Sequence, residues 1–204
     1  PEKLTREPYL STFSHANEKA EPGYYSVKMD NHIGVELTTG QRVAHHRYSF
    51  PKEGKKGFII DLTHRDKLID GGFVVRKVNN QLTILGWRES NSWNPDQHCY
   101  FAISTPLSPN KEVRFYDAEG NVIHTPERDS GSAVKIYVPL PEESTQVTLQ
   151  VAISGKSMEG AEKNLQSDSR IFETVRQETH EEWERRLGKI EVKGGTKEEK
   201  RIFY

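Results

Sequence analysis

A chain of 204 residues, 33% hydrophobic and 29% charged, has enough apolar material for one well-filled core or two small ones. Its 29 basic and 30 acidic residues leave a net charge of −1 and are scattered, which excludes the electrostatic footprint of a nucleic-acid or anionic-membrane partner. No apolar run is long enough to span a bilayer, and the single cysteine, Cys99, has no internal disulfide partner, so packing must hold the fold.

Residues 1 to 23 are polar and interrupted by Pro1, Pro8 and Pro22, and read as a loop leading to a strand. From Tyr24 the period becomes two. Tyr25, Val27 and Met29 alternate with polar neighbours, Asp30-Asn31 turns the chain, and Ile33, Val35 and Leu37 alternate again, which predicts a hairpin. Val43 to Phe50 is a third strand and Phe58 to Leu62 a short buried one. Phe73 to Val78 is expected to pair with Leu82 to Arg88 across Asn79-Asn80, a dipeptide that tolerates left-handed angles. Tyr100 to Ser104, Val113 to Tyr116, Asn121 to His124, Val134 to Val138 and Val147 to Ile153 complete the series, with Asp117 to Gly120 as a hairpin loop. About ten or eleven short strands without crossover helices predict a mainly β chain, a large antiparallel β-sandwich.

From Ser154 the pattern changes. Met158 to Leu165 predicts a short helix and Asp168 to Leu187 a longer one, with Phe172, Val175, Thr179, Trp183 and Leu187 on one face and Gly188 as its stop. Thr196 and Glu199 form T-x-x-E, a capping box that starts a further helix with only about two turns before Tyr204. The expected organisation is a β-sandwich over 1–153 and a helical segment over 154–204 leading into a further domain, the chain being cut from something larger at both ends.

Eight histidines raise the question of a metal. The densest set, His45, His46 and His64, contains adjacent residues whose side chains point to opposite faces of a strand; one is expected inward and hydrogen-bonded, the other outward. Cys99 beside His98 diverges in the same way, which argues against a nucleophile and base. There is no Gly-rich phosphate loop, G-x-S-x-G or H-E-x-x-H, and sequence spacing alone does not pick out a glycosidase carboxylate pair, since its two members need only be close in space. The most informative stretch is Gly86 to Gln97. Two Trp with amide and charged neighbours at a strand end are the equipment for stacking on a sugar ring and hydrogen-bonding its hydroxyls. The candidate substrate-binding residues are Trp87, Arg88, Trp93 and Gln97, with Trp93 as the exposed platform because its neighbours Ser92 and Asn94 are small and polar. Against this, Trp87 could be core, and Asp96 and Gln97 could serve only to tie the loop.

Across nearly the whole chain, separate tokens then line up. They are Phe13-Ser14-His15, Asn17-Glu18, Pro22-Gly23-Tyr24-Tyr25-Ser26-Val27, Glu36-Leu37-Thr38, Arg42-Val43, His46 to Pro51, Ile60-Asp61-Leu62, Gly86-Trp87-Arg88, Asp96-Gln97 and Tyr100-Phe101. Ser157 to Ala161, Asn164-Leu165, Trp183, Leu187 to Ile190, Gly194-Gly195-Thr196 and Lys200 to Tyr204 continue the series. In this order and spacing the chain resembles the amino-terminal domain of family 92 glycoside hydrolases, the calcium-dependent exo-acting α-mannosidases. It departs at Gly40-Gln41, where the family more often has Thr or Ala, and it lacks the Gly-rich and His-rich segment that precedes this region in the family.

The resemblance implies a galactose-mutarotase-like supersandwich leading into an (α/α)6 catalytic domain. It implies inverting hydrolysis of terminal α-linked mannose from glycans, with a Glu acid, carboxylate bases and a Ca2+ ion whose ligands all lie beyond Tyr204. A secreted or periplasmic location goes with the family. The 204 residues alone are then expected to hydrolyse nothing. A different class of reading is a stand-alone carbohydrate-binding sandwich without catalysis. That module would be expected to end in a Pro-, Gly- or Ser-rich linker rather than in an amphipathic helix and a capped one. A third is a support domain that never touches substrate.

Overall fold

The computed structural model describes residues 2–5, 9–78, 81–105, 112–124 and 133–204. Among them, twelve strands precede three helices. The strands are β1 (Phe13–Glu21), β2 (Tyr24–Met29), β3 (Gly34–Thr39), β4 (Val43–Ser49), β5 (Gly57–Asp61), β6 (Lys67–Val78), β7 (Gln81–Asn91) and β8 (Gln97–Thr105). β9 (Arg114–Tyr116), β10 (Val122–Ile123), β11 (Lys135–Pro139) and β12 (Gln146–Ser154) follow, then α1 (Met158–Gln166), α2 (Phe172–Leu187) and α3 (Lys197–Phe203). The strands form an antiparallel eight-stranded sheet in the order β1-β2-β3-β4-β12-β8-β7-β6 and a four-stranded sheet β10-β9-β11-β5. The Asn79-Asn80 turn lies outside the described residues.

Three layers result, and the pleat sorts side chains between them. On the large sheet, Ile84, Phe101, Ile103, Val147 and Leu149 meet Ile136 and Val138 of the small sheet to form the sandwich core. Full burial of each contributes roughly 1.5 to 3 kcal/mol. The intervening positions Val43, Leu85, Ala102 and Ala152 face the other way and pack against Ala161 and Leu165 of α1. Ala102, Ala152 and Ala161 are all fully buried, so small side chains set how closely this helix lies on the sheet. Central strands covered on both faces therefore read as apolar runs rather than clean alternations.

The amino-terminal stretch differs from its reading as a loop. Phe13–Glu21 is the edge strand β1, paired to β2 with a register shift between Phe13 and Glu18. It is exposed along most of its length, so no hydrophobic period announces it. The ladder holds it, helped by the Tyr25 hydroxyl donating to Glu18 Oε1 at 2.6 Å. Leu4, also read as loop, is buried under the β9–β10 hairpin, its N-H donating to Gly120 O at 2.8 Å.

α2 begins at Phe172 rather than Asp168. The Asp168 carboxylate accepts from Arg170 N at 3.1 Å and Arg170 Nε at 2.9 Å, a local arrangement that competes with helix. Phe172 and Val175 are buried against β3 and β4, whereas Trp183 is 43% exposed. Gly23, at φ 82° in the β1–β2 turn, admits the helix: a Cβ there would lie 2.5 Å from Thr179 Cγ2. Thr179 Oγ1 donates to Thr39 O at 2.8 Å, and the Arg176 guanidinium lies 3.7 Å from the Tyr24 ring centre. The capping box of α3 forms as expected, Thr196 and Glu199 each satisfying the other's backbone N-H.

Candidate functional site

The candidate residues sit on β7, β8 and the connection between them, and the register decides which can act together. Trp87 pairs across the ladder with Tyr100 and with Gly72 of β6, and Arg88 pairs with Cys99. Consecutive residues face opposite ways, so Trp87 belongs to the helix-bearing face of the sheet and Arg88 to the sandwich face. A sugar touching one cannot also touch the other across the sheet.

Trp87 is half-buried. Its indole lies over Gly72, where a Cβ would stand 2.4 Å from Cη2, and Nε1 donates to Asp70 Oδ2 at 2.8 Å. Arg88 is committed elsewhere: Nε donates to Leu62 O at 2.8 Å and Nη2 to Arg65 O at 2.5 Å, tying the connection after β5 to β7. Its guanidinium is a clamp on backbone carbonyls. Gln97 stands opposite Ser90 at the start of β8, on the face of Arg88 and exposed.

Trp93 is different. It is 97% exposed in the loop between the strands, which is braced by Asn91 Nδ2 donating to Pro95 O at 3.1 Å and Ser92 N to Asn94 O at 3.3 Å. Of the four candidates it alone combines a large apolar plane with full access to solvent, the property expected of a stacking platform. Cys99 is half-buried, and burial pushes its thiol up, away from a nucleophilic thiolate. His98 turns instead to Asp96, Nε2 to Oδ1 at 2.8 Å.

That contact belongs to a cluster the sequence reading missed. Glu89 pairs directly with His98 across the ladder, and Glu89, Asp96 and His98 each bring one ligand atom to within 4.8 Å of the others. Asp96-x-His98 shared a face in the sequence already. The arrival of Glu89 depended on a β7–β8 register that the sequence does not state.

Of the adjacent pair, His46 meets the expectation of an inward, hydrogen-bonded ring, whereas His45 is buried rather than outward. The pleat separates them, but both sides of β4 are covered. His46 Nδ1 lies 3.0 Å from the Tyr48 hydroxyl on the sandwich side. His45, 1% exposed, faces the α1–α2 connection, with Nε2 3.5 Å from Asp168 Oδ2 but without a hydrogen-bond partner among the described residues. Burial lowers the pKa of both imidazoles. Hydrogen bonds from Arg170 hold the Asp168 carboxyl down at about 2. This cluster fastens the helices to the sheet. A cleft beside it, between the β3–β4 turn and α2, includes Gln41, Arg42, Arg170 and Trp183 and none of the predicted site residues.

Comparison with known proteins places this geometry in a family. The family model for the glycosyl hydrolase family 92 N-terminal domain matches residues 1–154, and that for the family 92 catalytic domain matches residues 160–204. No curated protein sequence matches significantly. Among solved structures, a GH92 α-mannosidase from Bacteroides thetaiotaomicron is similar at 25% identity and a TM-score of 0.76, covering 91% of this chain and 26% of its own. The GH92 family glycosyl hydrolase ccman5 shares the fold at 22% identity and a TM-score of 0.81, with 91% and 26% covered. A GH92 inverting mannosidase, also from B. thetaiotaomicron, shares it at 23% identity and a TM-score of 0.74, with 95% and 26% covered. The chain thus spans about a quarter of the length of these relatives. On the match over residues 1–154, continued by the catalytic-domain match over the helices, the chain belongs to glycosyl hydrolase family 92.

Proposed function

We propose that this chain serves as the β-sandwich and first helices of an inverting, calcium-dependent exo-α-mannosidase that removes terminal α-linked mannose from glycans. On this reading residues 1–153 are a non-catalytic sandwich and residues 154–204 the helical passage to an (α/α)6 domain in the same polypeptide. That domain would supply the acid, the bases and the Ca2+ ligands. The observation that carries the proposal is the switch of family match, from the N-terminal domain to the catalytic domain, between residues 154 and 160, where strands give way to helices. The similarity to an α-mannosidase of known structure supports the substrate class.

Within this reading the β7–β8 loop contributes to the rim of the sugar pocket through Trp93. Gln97 is at hand on the adjoining strand for a hydroxyl. Arg88, bound to two carbonyls, and Trp87, bound to Asp70, hold the rim in shape. The 204-residue chain alone should show no turnover of an aryl α-mannoside with or without added Ca2+. The same chain joined to its catalytic domain should be active, and chelation should abolish that activity. Turnover by the 204 residues alone would overturn the assignment of all catalytic groups to the other domain. Tight, specific glycan binding by the 204 residues without turnover would favour a carbohydrate-binding module.

A further inference from the structure

The cluster of Glu89, Asp96 and His98 lies outside the chemistry proposed above. Its ligand atoms converge from two strands: Glu89 on β7 and His98 on β8 are a directly paired couple in the ladder, so their backbone separation is fixed. Asp96 lies two residues before His98 and already meets its Nε2 at 2.8 Å. All three ligand atoms fall within 4.8 Å of one another. Bonds of about 2.0 to 2.2 Å to a tetrahedral ion require ligand atoms roughly 3.3 to 3.6 Å apart. Rotation of exposed carboxylate side chains, without backbone movement, can close that gap. Asp70, the other acid paired with Glu89, is held by the Trp87 indole and stands outside the set.

The donor chemistry selects the ion. Two carboxylates and one imidazole carry a net negative charge that a divalent cation would neutralise. Ca2+ is a hard cation that takes oxygen ligands and gains little from an imidazole nitrogen. An imidazole nitrogen with carboxylate oxygens suits Zn2+ and neighbouring divalent transition metals, with water completing the coordination. The arrangement already aims Nε2 at the carboxylate it would share the ion with.

We propose that Glu89, Asp96 and His98 form a three-ligand site for a divalent transition-metal ion of the Zn2+ class at the root of the Trp93 loop. Bound there, the ion joins β7 to β8 across the mouth of their connection and restricts the loop. The site uses only residues of this chain and stands or falls independently of the glycosidase reading.

Calorimetric titration of the 204-residue chain with Zn2+ alone, and separately with Ca2+ alone, tests it. One Zn2+ per chain and no Ca2+ binding are expected. His98→Ala should weaken Zn2+ binding by more than the roughly 10- to 100-fold typical of losing a group that merely supports a ligand. Glu89→Gln and Asp96→Asn should each weaken it as well, with unchanged far-ultraviolet circular dichroism in all three variants. With Cu2+ as probe, electron paramagnetic resonance should show one nitrogen ligand that His98→Ala removes. Absence of Zn2+ binding in molar excess, or binding that survives His98→Ala, would overturn the site. Loss of binding in His98→Ala with both carboxylate variants unchanged would leave an isolated histidine contact and overturn it equally.

Discussion

Trp93 can be removed without removing anything the sandwich rests on, because almost all of its surface is in water. Trp93→Ala should therefore leave the melting temperature close to wild type, the change in stability staying within about 0.5 kcal/mol. In an enzyme that joins this chain to its catalytic domain, the same change should cost roughly 1 to 3 kcal/mol in kcat/KM if the indole stacks on sugar. Trp87→Ala should behave oppositely, losing the bond to Asp70 and the packing on Gly72, and destabilise the fold by about 2 kcal/mol. Thermal melts paired with kinetics separate the two. The contrast was legible in the sequence because small polar neighbours frame Trp93, whereas Leu82, Ile84 and Gly86 lead up to Trp87. The carbonyl partners of Arg88 were not, since they come from residues more than twenty positions away that only the fold brings near.

The element with the most dependent placement is α2. Its amphipathic period was plain in the sequence, but its fastening was not. The anchor is the extended connection before it, where Asp168, Arg170 and buried His45 meet. Acid should loosen this anchor by two routes of the same sign. His45 has its folded pKa depressed below 6.5, so its stabilising contribution as a neutral group is present above that value and is lost as pH falls through the folded pKa. Asp168 falls from 3.8 to about 2 on folding, so its contribution is present above about pH 4 and lost between roughly pH 4 and 2. That second contribution is about 2 kcal/mol. Hydrogen exchange should show α2 losing protection before the central strands as pH is lowered from 7. Asp168→Asn should destabilise the helix at pH 7 and flatten the dependence below pH 4. Equal loss of protection in helix and strands would mean that the anchor is no weaker than the core. β1 teaches the complementary lesson: an edge strand exposed on both faces has no hydrophobic period to declare it, and only its ladder partner makes it a strand.

At the scale of the molecule, the fold class and most of the strands were readable from turn spacing and alternation, whereas the edge strand β1 and the strand order were not. Period-2 patterns place residues on faces but do not say which strand lies beside which. In the large sheet one strand stands far out of sequence: β4 and β8 do not pair with each other, and β12 lies between them, bonded to both. A chain shortened to residues 1–145 should lose more than one strand's share of stability and be digested by protease under conditions in which the 204-residue chain resists. Comparable resistance of the two would show that the blocks on either side of β12 stand alone.

The position of β12 also imposes a timetable. A ribosome delivers β1 to β4 as one run of neighbouring hairpins and β6 to β8 as another, and each run can form from local contacts as it emerges. Each then presents a bare strand edge to the cell, β4 on one side and β8 on the other. At the usual pace of about 5 to 20 residues per second, the segment between Thr105 and Gln146 keeps both edges open for several seconds before the only strand that fits between them is made. The nascent chain is thus most prone to mispairing while the residues between β8 and β12 are being made, and β4, which carries His45, His46 and Arg47, is one of the two edges left waiting.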